Sequence, residues 1–130
     1  MSVTITIANN SEYVKKNCPE LIKFEEYPAD EFYPAAKFEY LPFEMNMANG
    51  NFQTVFSALG LNTEYCGSMD GRKLQNAIRS FNPELAIRAT NISKNIIEIG
   101  IDEDRITYYT ESLLEIADEA IKREEMVCWG

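Results

Sequence analysis

The chain has 130 residues, of which 45% are hydrophobic and 12% aromatic, and it carries a formal net charge of −9 without a single histidine. This length and composition predict one folded domain over residues 1–130 with a hydrophobic core of ordinary size. The absence of histidine excludes serine and cysteine triads, histidine general bases and every zinc motif that uses histidine.

The first predicted element is a strand. Apolar residues alternate with threonines over Ser2–Ala8, which is typical of a half-buried strand. Residues 12–34 contain three prolines and are predicted to be irregular. The exception is a short helix at Pro19–Phe24, which can begin with its proline in the first turn.

A longer strand and a helix are predicted next. Aromatic and methionine side chains alternate over Ala36–Met47, and the phase shifts by one residue at Pro42, which predicts a bulge or an edge position there. Apolar residues then follow at helical spacing over Phe52–Leu59. Asn49 is predicted to cap this helix at its N-terminus, and Gly60 is predicted to end it.

A second short helix is predicted to begin near Ser68 and to end at Asn82-Pro83. Two stretches after it are predicted to be strands: a short one over Leu85–Ala89 and a β-branched one over residues 95–101. The prediction of the helix that begins near Ser68 depends on apolar residues at i, i+3, i+4 and i+7: Leu74, Ala77, Ile78 and Phe81.

The longest predicted helix runs from Asp104 to Lys122, and a short strand over Met126–Trp129 follows it. Acidic residues at 102–104 favour a helix start, because they face the positive end of the helix dipole. One side of the helix is apolar: Ile106, Tyr109, Leu113, Ile116, Ala117, Ala120 and Ile121. The other side is acidic: Asp104, Glu111, Glu115, Asp118 and Glu119.

These elements predict an α+β fold. A small mixed or antiparallel sheet is expected to pack against two short helices and one long C-terminal amphipathic helix.

The three cysteines show none of the close spacing of zinc or redox motifs, so we expect free thiols in a reducing compartment. Cys66 precedes a predicted helix, where a thiol could be reactive, but no base is available to it. The sequence therefore favours a buried structural cysteine there. No basic leader and no run of about 18 apolar residues is present, so neither a signal peptide nor a membrane span is predicted.

Several binding chemistries are disfavoured by the sequence. The glycines form neither a GxGxxG fingerprint nor a P-loop, and residues 102–104 lack the spacing of a calcium loop, so we expect no cofactor and no metal. Residues 98–130 carry ten acidic and three basic side chains, which repel phosphate. We therefore expect no direct binding of nucleic acid, and no association with a membrane.

Three asparagines, Asn46, Asn49 and Asn51, lie where the predicted strand passes into a helix. One hypothesis is that their amides and the free N–H groups of the helix recognise a backbone, a sugar or an anion. Capping and turn formation is the alternative, and the sequence favours it.

Glu111, Glu115, Asp118 and Glu119 form a predicted outward row on the last helix, with i, i+4 neighbours about 6 Å apart along its axis. Such a row could occupy a groove lined by lysine and arginine on a partner. A solvated helix face that keeps the protein soluble is an equal alternative.

The segments Asn46–Asn51, Leu59–Leu61 and Cys66–Ser68 read NMANGN, LGL and CGS. In this pattern the chain resembles a family of small bacteriophage and prophage proteins to which no activity is assigned. The resemblance implies a phage or mobile-element origin and a place in the cytoplasm of a bacterial host. Small acidic proteins of this origin are often inhibitors of host defence, and by size and charge the chain is similar to anti-CRISPR and anti-restriction proteins.

The function that follows is that of a small acidic accessory protein, which binds the basic surface of a host protein and inhibits a nucleic-acid-binding defence system. Two alternatives stay open. The chain could bind a small molecule or nucleotide derivative, or be a degenerate enzyme, with the asparagines as its pocket. It could also be a virion or assembly component that acts as an oligomer.

Overall fold

The computed structural model describes residues 1–81 and 103–130, with backbone alone at 103 and 104. They fall into two compact units, one of residues 1–8 and 43–130 and one of Asn9–Pro42. The strands predicted over Leu85–Ala89 and residues 95–101 lie outside the described residues, and the single-domain prediction stays a prediction. In chain order the elements are β1 (Ser2–Ile7), α1 (Asn10–Asn17), a 3₁₀ turn (Pro19–Leu21), β2 (Lys23–Tyr27), β3 (Ala36–Tyr40), β4 (Glu44–Ala48), α2 (Asn49–Ala58), β5 (Gly67–Asp70), α3 (Gly71–Arg79), α4 (Glu103–Arg123) and β6 (Met126–Trp129).

The first unit is built on a four-stranded sheet of order β4-β1-β6-β5, in which each neighbouring pair is antiparallel. Ile5 of β1 lies opposite Met45 of β4 on one side and opposite Trp129 of β6 on the other. Together with the helices this confirms the α+β prediction. The strand predicted at the end of the chain is present, and it occupies an inner position of the sheet.

One face of this sheet forms the core. Side chains alternate in a strand, so the buried residues of all four strands point to the same side. The helices supply the other half of this core, chiefly through Phe52, Phe56, Leu74 and Leu113, which are fully buried. The strands contribute Val3, Ile5, Ile7, Met45, Met47, Met69, Val127 and Trp129.

Helix α2 confirms the prediction over Phe52–Leu59, but its cap is different. Ala48 is the N-cap residue, Asn49 is the first helical residue, and no side chain makes a capping hydrogen bond. The reason is that β4 remains paired with β1 as far as Ala48, so the chain enters the helix without a turn. Gly60 follows the helix with φ of 71°, a left-handed conformation that glycine adopts without strain.

The start of α3 also differs from the prediction. Ser68 is not a cap, because Gly67–Asp70 forms an edge strand paired with β6. Asp70 caps the helix instead, and its Oδ1 accepts a hydrogen bond of 2.8 Å from the backbone N–H of Arg72. Gly71 begins the helix, where an added Cβ would lie 3.0 Å from the carbonyl oxygen of Ala117. The close contact between α3 and α4 therefore needs a glycine.

The single strand predicted over Ala36–Met47 is two strands in different sheets. β3 ends at Tyr40 and β4 begins at Glu44. Pro42 has no N–H to donate to a ladder, and Phe43 has a left-handed φ of 57°. The shift in alternation that predicted a bulge is therefore a break between strands.

The apolar side of α4 is buried as predicted, from Ile106 to Ala120, with Ile121 half-buried. Leu113 at its centre is 0% exposed. The α3–α4 contact places the two helices side by side over the sheet core.

The second unit contains α1, the 3₁₀ turn and the antiparallel hairpin of β2 and β3. The predicted helix at Pro19–Phe24 is only the turn Pro19–Leu21, and β2 and α1 occupy residues that were predicted to be irregular. Val14 of α1 is buried, whereas every residue of β2 is exposed.

All three cysteines are free thiols, as predicted. Cys66 is exposed, however, which overturns the prediction of a buried structural cysteine. It lies in the loop before β5, outside the alternation that buries Met69.

Candidate functional site

The three asparagines predicted to contact a ligand or partner do not all lie on the same element. Asn46 lies on the outer face of β4, where its Nδ2 donates hydrogen bonds of 3.0 Å to the hydroxyls of Ser2 and Thr4 on the neighbouring strand. Asn49 lies in the first turn of α2. The predicted cluster is therefore divided between a strand and a helix.

Asn51 has a different role again. Its Nδ2 donates a hydrogen bond of 3.0 Å to the hydroxyl of Tyr109, which is 8% exposed. A buried phenol needs a hydrogen-bond partner, and Asn51 supplies it from another helix. This bond joins α2 to α4 and explains the asparagine without a ligand.

The acidic row on α4 is also divided. Glu111 and Glu115 are exposed. Asp118 is exposed too, but its Oδ1 accepts a hydrogen bond of 2.8 Å from Nε2 of Gln75 on α3. Glu119 is half-buried, and its Oε1 lies 3.1 Å from Nε of Arg123.

Arg123 explains why Glu119 turns away from the row. The Arg123 side chain is only 3% exposed, and its guanidinium lies 5.2 Å from the centre of the Phe43 ring. A charge at this depth needs a partner of opposite sign, and Glu119 one helical turn earlier provides it. Glu111 and Glu115 remain as the outward pair.

These two glutamates line a cleft of about 370 Å³ between the start of β4 and one side of α4. Glu44 of β4 brings a third carboxylate to the same cleft. No lysine or arginine of the described ranges lines it. The remaining lining residues are Phe43, Met45, Tyr108, Ser112 and Ile116.

Local sequence explains how α4 builds its wall. Tyr108, Glu111, Ser112 and Glu115 are spaced at i, i+3, i+4 and i+7, so they lie along one side of the helix. Tyr108 is 62% exposed, in contrast to Tyr109 beside it, which points to the core. The cleft therefore combines carboxylates with an accessible aromatic ring.

Glu44 is the carboxylate in an altered environment. Partial burial raises the pKa of Glu44 above its ordinary value, and a hydrogen bond with the Thr6 side chain lowers it by a smaller amount. A positively charged side chain entering the cleft would offset this cost of burial.

The cleft combines three carboxylates with an exposed tyrosine ring. In the described part of the chain no group of three or more cysteine, aspartate or glutamate side chains is arranged to hold a metal ion. None of the helices described is both long enough and apolar enough to cross a membrane.

Sequence reasoning identified two members of this site, Glu111 and Glu115, and missed Glu44, Tyr108 and Phe43. Glu44 precedes Glu111 by more than 60 residues, and no local pattern joins the two. Tyr108 carried a signal, because it falls outside the apolar stripe at a spacing of i, i+3 from Glu111.

No family model, curated protein or solved structure matches this chain. The resemblance to small phage and prophage proteins stays a prediction.

Proposed function

We propose that this protein acts by binding a partner protein, and that the cleft between β4 and α4 receives a basic segment of that partner. The observation that carries the proposal is the set of three glutamates, Glu44, Glu111 and Glu115, on one cleft that no basic residue of the described ranges lines. Unneutralised charge of one sign steers an oppositely charged partner to the surface that carries it.

The aromatic side chains of the cleft support a protein partner over a free cation. Tyr108 presents an exposed ring, and tyrosine is enriched where protein interfaces are most tightly packed. An arginine or lysine of the partner could contact this ring with its stem while its charge meets the glutamates.

The more specific form of the proposal concerns the source of the partner. The resemblance to phage and prophage proteins, together with the formal net charge of −9, favours a nucleic-acid-binding protein of a bacterial defence system. Its basic surface, built to hold phosphates, would be occupied and inhibited by an acidic protein. Such an encounter takes place in the cytoplasm of the host cell.

The small-molecule alternative loses support, because it depended on an asparagine pocket. Asn46 and Asn51 are engaged with Ser2, Thr4 and Tyr109, and neither asparagine lines the cleft. A role in virion assembly stays an alternative without an observation that favours it.

Charge reversal tests the proposal. The full chain is used to recover a partner from bacterial lysate, and the affinity and association rate are then measured over a salt series. The double variant Glu111→Lys with Glu115→Lys should slow association and weaken its salt dependence. The matched control is Glu12→Lys with Glu64→Lys, which changes the net charge equally at two exposed positions that are not among the residues lining the cleft.

The control should retain the affinity and salt dependence of the unchanged protein. Equal losses in both double variants would mean that net charge alone drives binding. Unchanged affinity in the first would contradict the proposal and leave these glutamates as a solvated face.

A further inference from the structure

The hairpin of β2 and β3 has two faces of different character. Residues directly opposite each other in an antiparallel pair share a face, and so do residues two apart in one strand. From the register of the hairpin, one face, here called the aromatic face, carries Lys23, Glu25, Tyr27, Ala36, Phe38 and Tyr40. The opposite face carries Phe24, Glu26, Lys37 and Glu39.

On the aromatic face, three rings surround one carboxylate. The rings of Tyr27 and Phe38 meet edge to face, with centres 5.5 Å apart and an angle of 76°. The hydroxyls of Tyr27 and Tyr40 both donate hydrogen bonds to Oε2 of Glu25, at 2.6 and 3.3 Å. Tyr27, Phe38 and Tyr40 are each about half exposed, at 52%, 48% and 48%. The arrangement is therefore held together and open to solvent.

The opposite face shows what such an arrangement binds. There the ammonium of Lys37 lies 4.8 Å from the centre of the Phe24 ring and 3.8 Å from Oε1 of Glu26. One ring and one carboxylate thus hold a cation of the chain itself. The aromatic face has more rings and a carboxylate, and Lys23, its only cation, forms no ion pair with Glu25 in the described structure.

We propose that the aromatic face of the hairpin binds an arginine side chain of a partner protein, with the rings of Tyr27, Phe38 and Tyr40 around the guanidinium and the carboxylate of Glu25 opposite it. Both tyrosine hydroxyls use Oε2, which leaves Oε1 of Glu25 for the ligand. Arginine suits this site better than lysine, because its planar group stacks on rings and donates several hydrogen bonds at once.

Charge selects this occupant over others. Residues 19–42 carry six acidic and two basic side chains, so the surroundings of the face attract a basic segment. An apolar partner would bury Glu25 without a counter-charge, which is costly. A second copy of this chain or an anionic membrane would bring further negative charge. The site uses no residue of the α4 cleft, so it does not depend on the function proposed above.

Titration of the full-length, ¹⁵N-labelled protein with a short arginine peptide tests this inference. The probe is an acetylated, amidated peptide of three arginines separated by glycines, compared with the same peptide carrying citrulline, which has the shape of arginine but no charge. Addition of the arginine peptide should change the amide chemical shifts of residues 23–40. The citrulline peptide should bind about tenfold more weakly or worse.

Neighbouring residues on opposite faces provide matched variants. Glu25→Gln should weaken binding at the hairpin about tenfold, whereas Glu26→Gln, with the same change in net charge, should change it less than about twofold. Likewise Phe38→Ala should weaken binding about tenfold and Phe24→Ala should not. Lys23→Gln should strengthen binding, because it removes the like charge on the aromatic face.

The variants can be interpreted only if the hairpin stays intact. Cross-strand contacts between Lys23 and Tyr40, followed in the same labelled protein, show whether it does. Equal effects of Glu25→Gln and Glu26→Gln would overturn the proposal, because they would show attraction to net charge alone. Shifts confined to β4 and α4 would also overturn it. The proposal would likewise be overturned if the protein formed a dimer, or bound vesicles of phosphatidylglycerol, and Phe38→Ala abolished that association. Loss of partner binding in the Glu111 and Glu115 variant alone would bear on the cleft and leave the hairpin site standing.

Discussion

The four-stranded sheet and the two-stranded hairpin use the same alternation to different ends. In the sheet, Val3, Ile5 and Ile7 of β1 are each no more than 1% exposed, and helices cover them. In the hairpin every residue of β2 is exposed, although the strand contains Phe24 and Tyr27. Alternation in a sequence therefore shows which side chains share a face, and it does not show whether that face is covered.

The difference also separates stability from contact. A two-stranded hairpin is marginal in water by itself, and aromatic side chains left in solvent contribute little to folding. The sheet unit should then carry most of the free energy of unfolding. The rings of the hairpin are available for recognition instead.

The largest expected effect tests where the stability lies. Leu113→Ala empties a site that is 0% exposed at the centre of α4, and it should lower the free energy of unfolding by about 2–5 kcal/mol. In the hairpin unit, Phe32→Ala removes a larger side chain that is 82% exposed and should change it by less than about 0.5 kcal/mol. Urea denaturation measures both. Glu115→Ala, on the outer side of α4, is the control and should resemble Phe32→Ala.

A smaller effect tests the close packing of the sheet. A Cβ added at Gly67 would lie 2.6 Å from Cζ2 of Trp129, so Gly67→Ala should cost about 1–3 kcal/mol. At Gly50, in the first turn of α2, an added Cβ meets nothing within 4 Å. Gly50→Ala should be neutral or slightly stabilising when the two variants are compared by thermal denaturation. Equal melting temperatures for the two variants would mean that the sheet is less tightly packed at Trp129.

The asparagines provide the next comparison. Asn51→Ala leaves the buried Tyr109 hydroxyl without the bond from Asn51 and should cost about 1 kcal/mol. Asn49→Ala should cost less than about 0.5 kcal/mol, because the Asn49 side chain makes no capping hydrogen bond. If chemical denaturation shows the opposite order, Asn49 caps α2 in solution, as its sequence position suggested.

The smallest expected effect depends on pH. Burial raises the pKa of Glu44 in the folded protein. The stability contributed by Glu44 is therefore complete below the pKa that it has in the unfolded chain, and it is lost as pH rises through the pKa that it has in the folded protein. Glu44→Gln removes this loss, so the variant should gain stability relative to the unchanged protein as pH rises above about 4.5. The gain should be under about 0.5 kcal/mol, because the carboxylate is only partly buried and solvent screens its charge. Parallel stability profiles from pH 4 to pH 7 would contradict this.

Periodicity within one element made much of the sheet unit predictable. The apolar stripe of α4, the helical spacing in α2 and the alternation in β1 are local patterns, and the structure confirms them. β5 was missed because its four residues, GSMD, carry no clear alternation and depend on pairing with β6 nearly 60 residues later. β2 was missed because KFEEY is exposed on both faces and lies among prolines.

The candidate sites divide along the same line. Glu111 and Glu115 were predictable because one helix sets their spacing. Glu44 joins them through the packing of distant segments, and the meeting of Glu25 with Phe38 and Tyr40 requires the hairpin register. The converse holds for Asn46, Asn49 and Asn51, which are close in sequence although Asn46 belongs to β4 and the other two belong to α2.

The inner position of β6 has a consequence for the order in which the sheet can assemble on the ribosome. β1 and β4 can pair early, but β5 has no described partner other than β6, whose residues are 126–129. Until those residues leave the ribosomal exit tunnel, one edge of β1 stays open and β5 stays unpaired. Open strand edges of this kind are prone to pair with other chains. Completion of the sheet therefore waits until synthesis has passed residue 129, and its folding should be slow compared with that of helical domains of the same length.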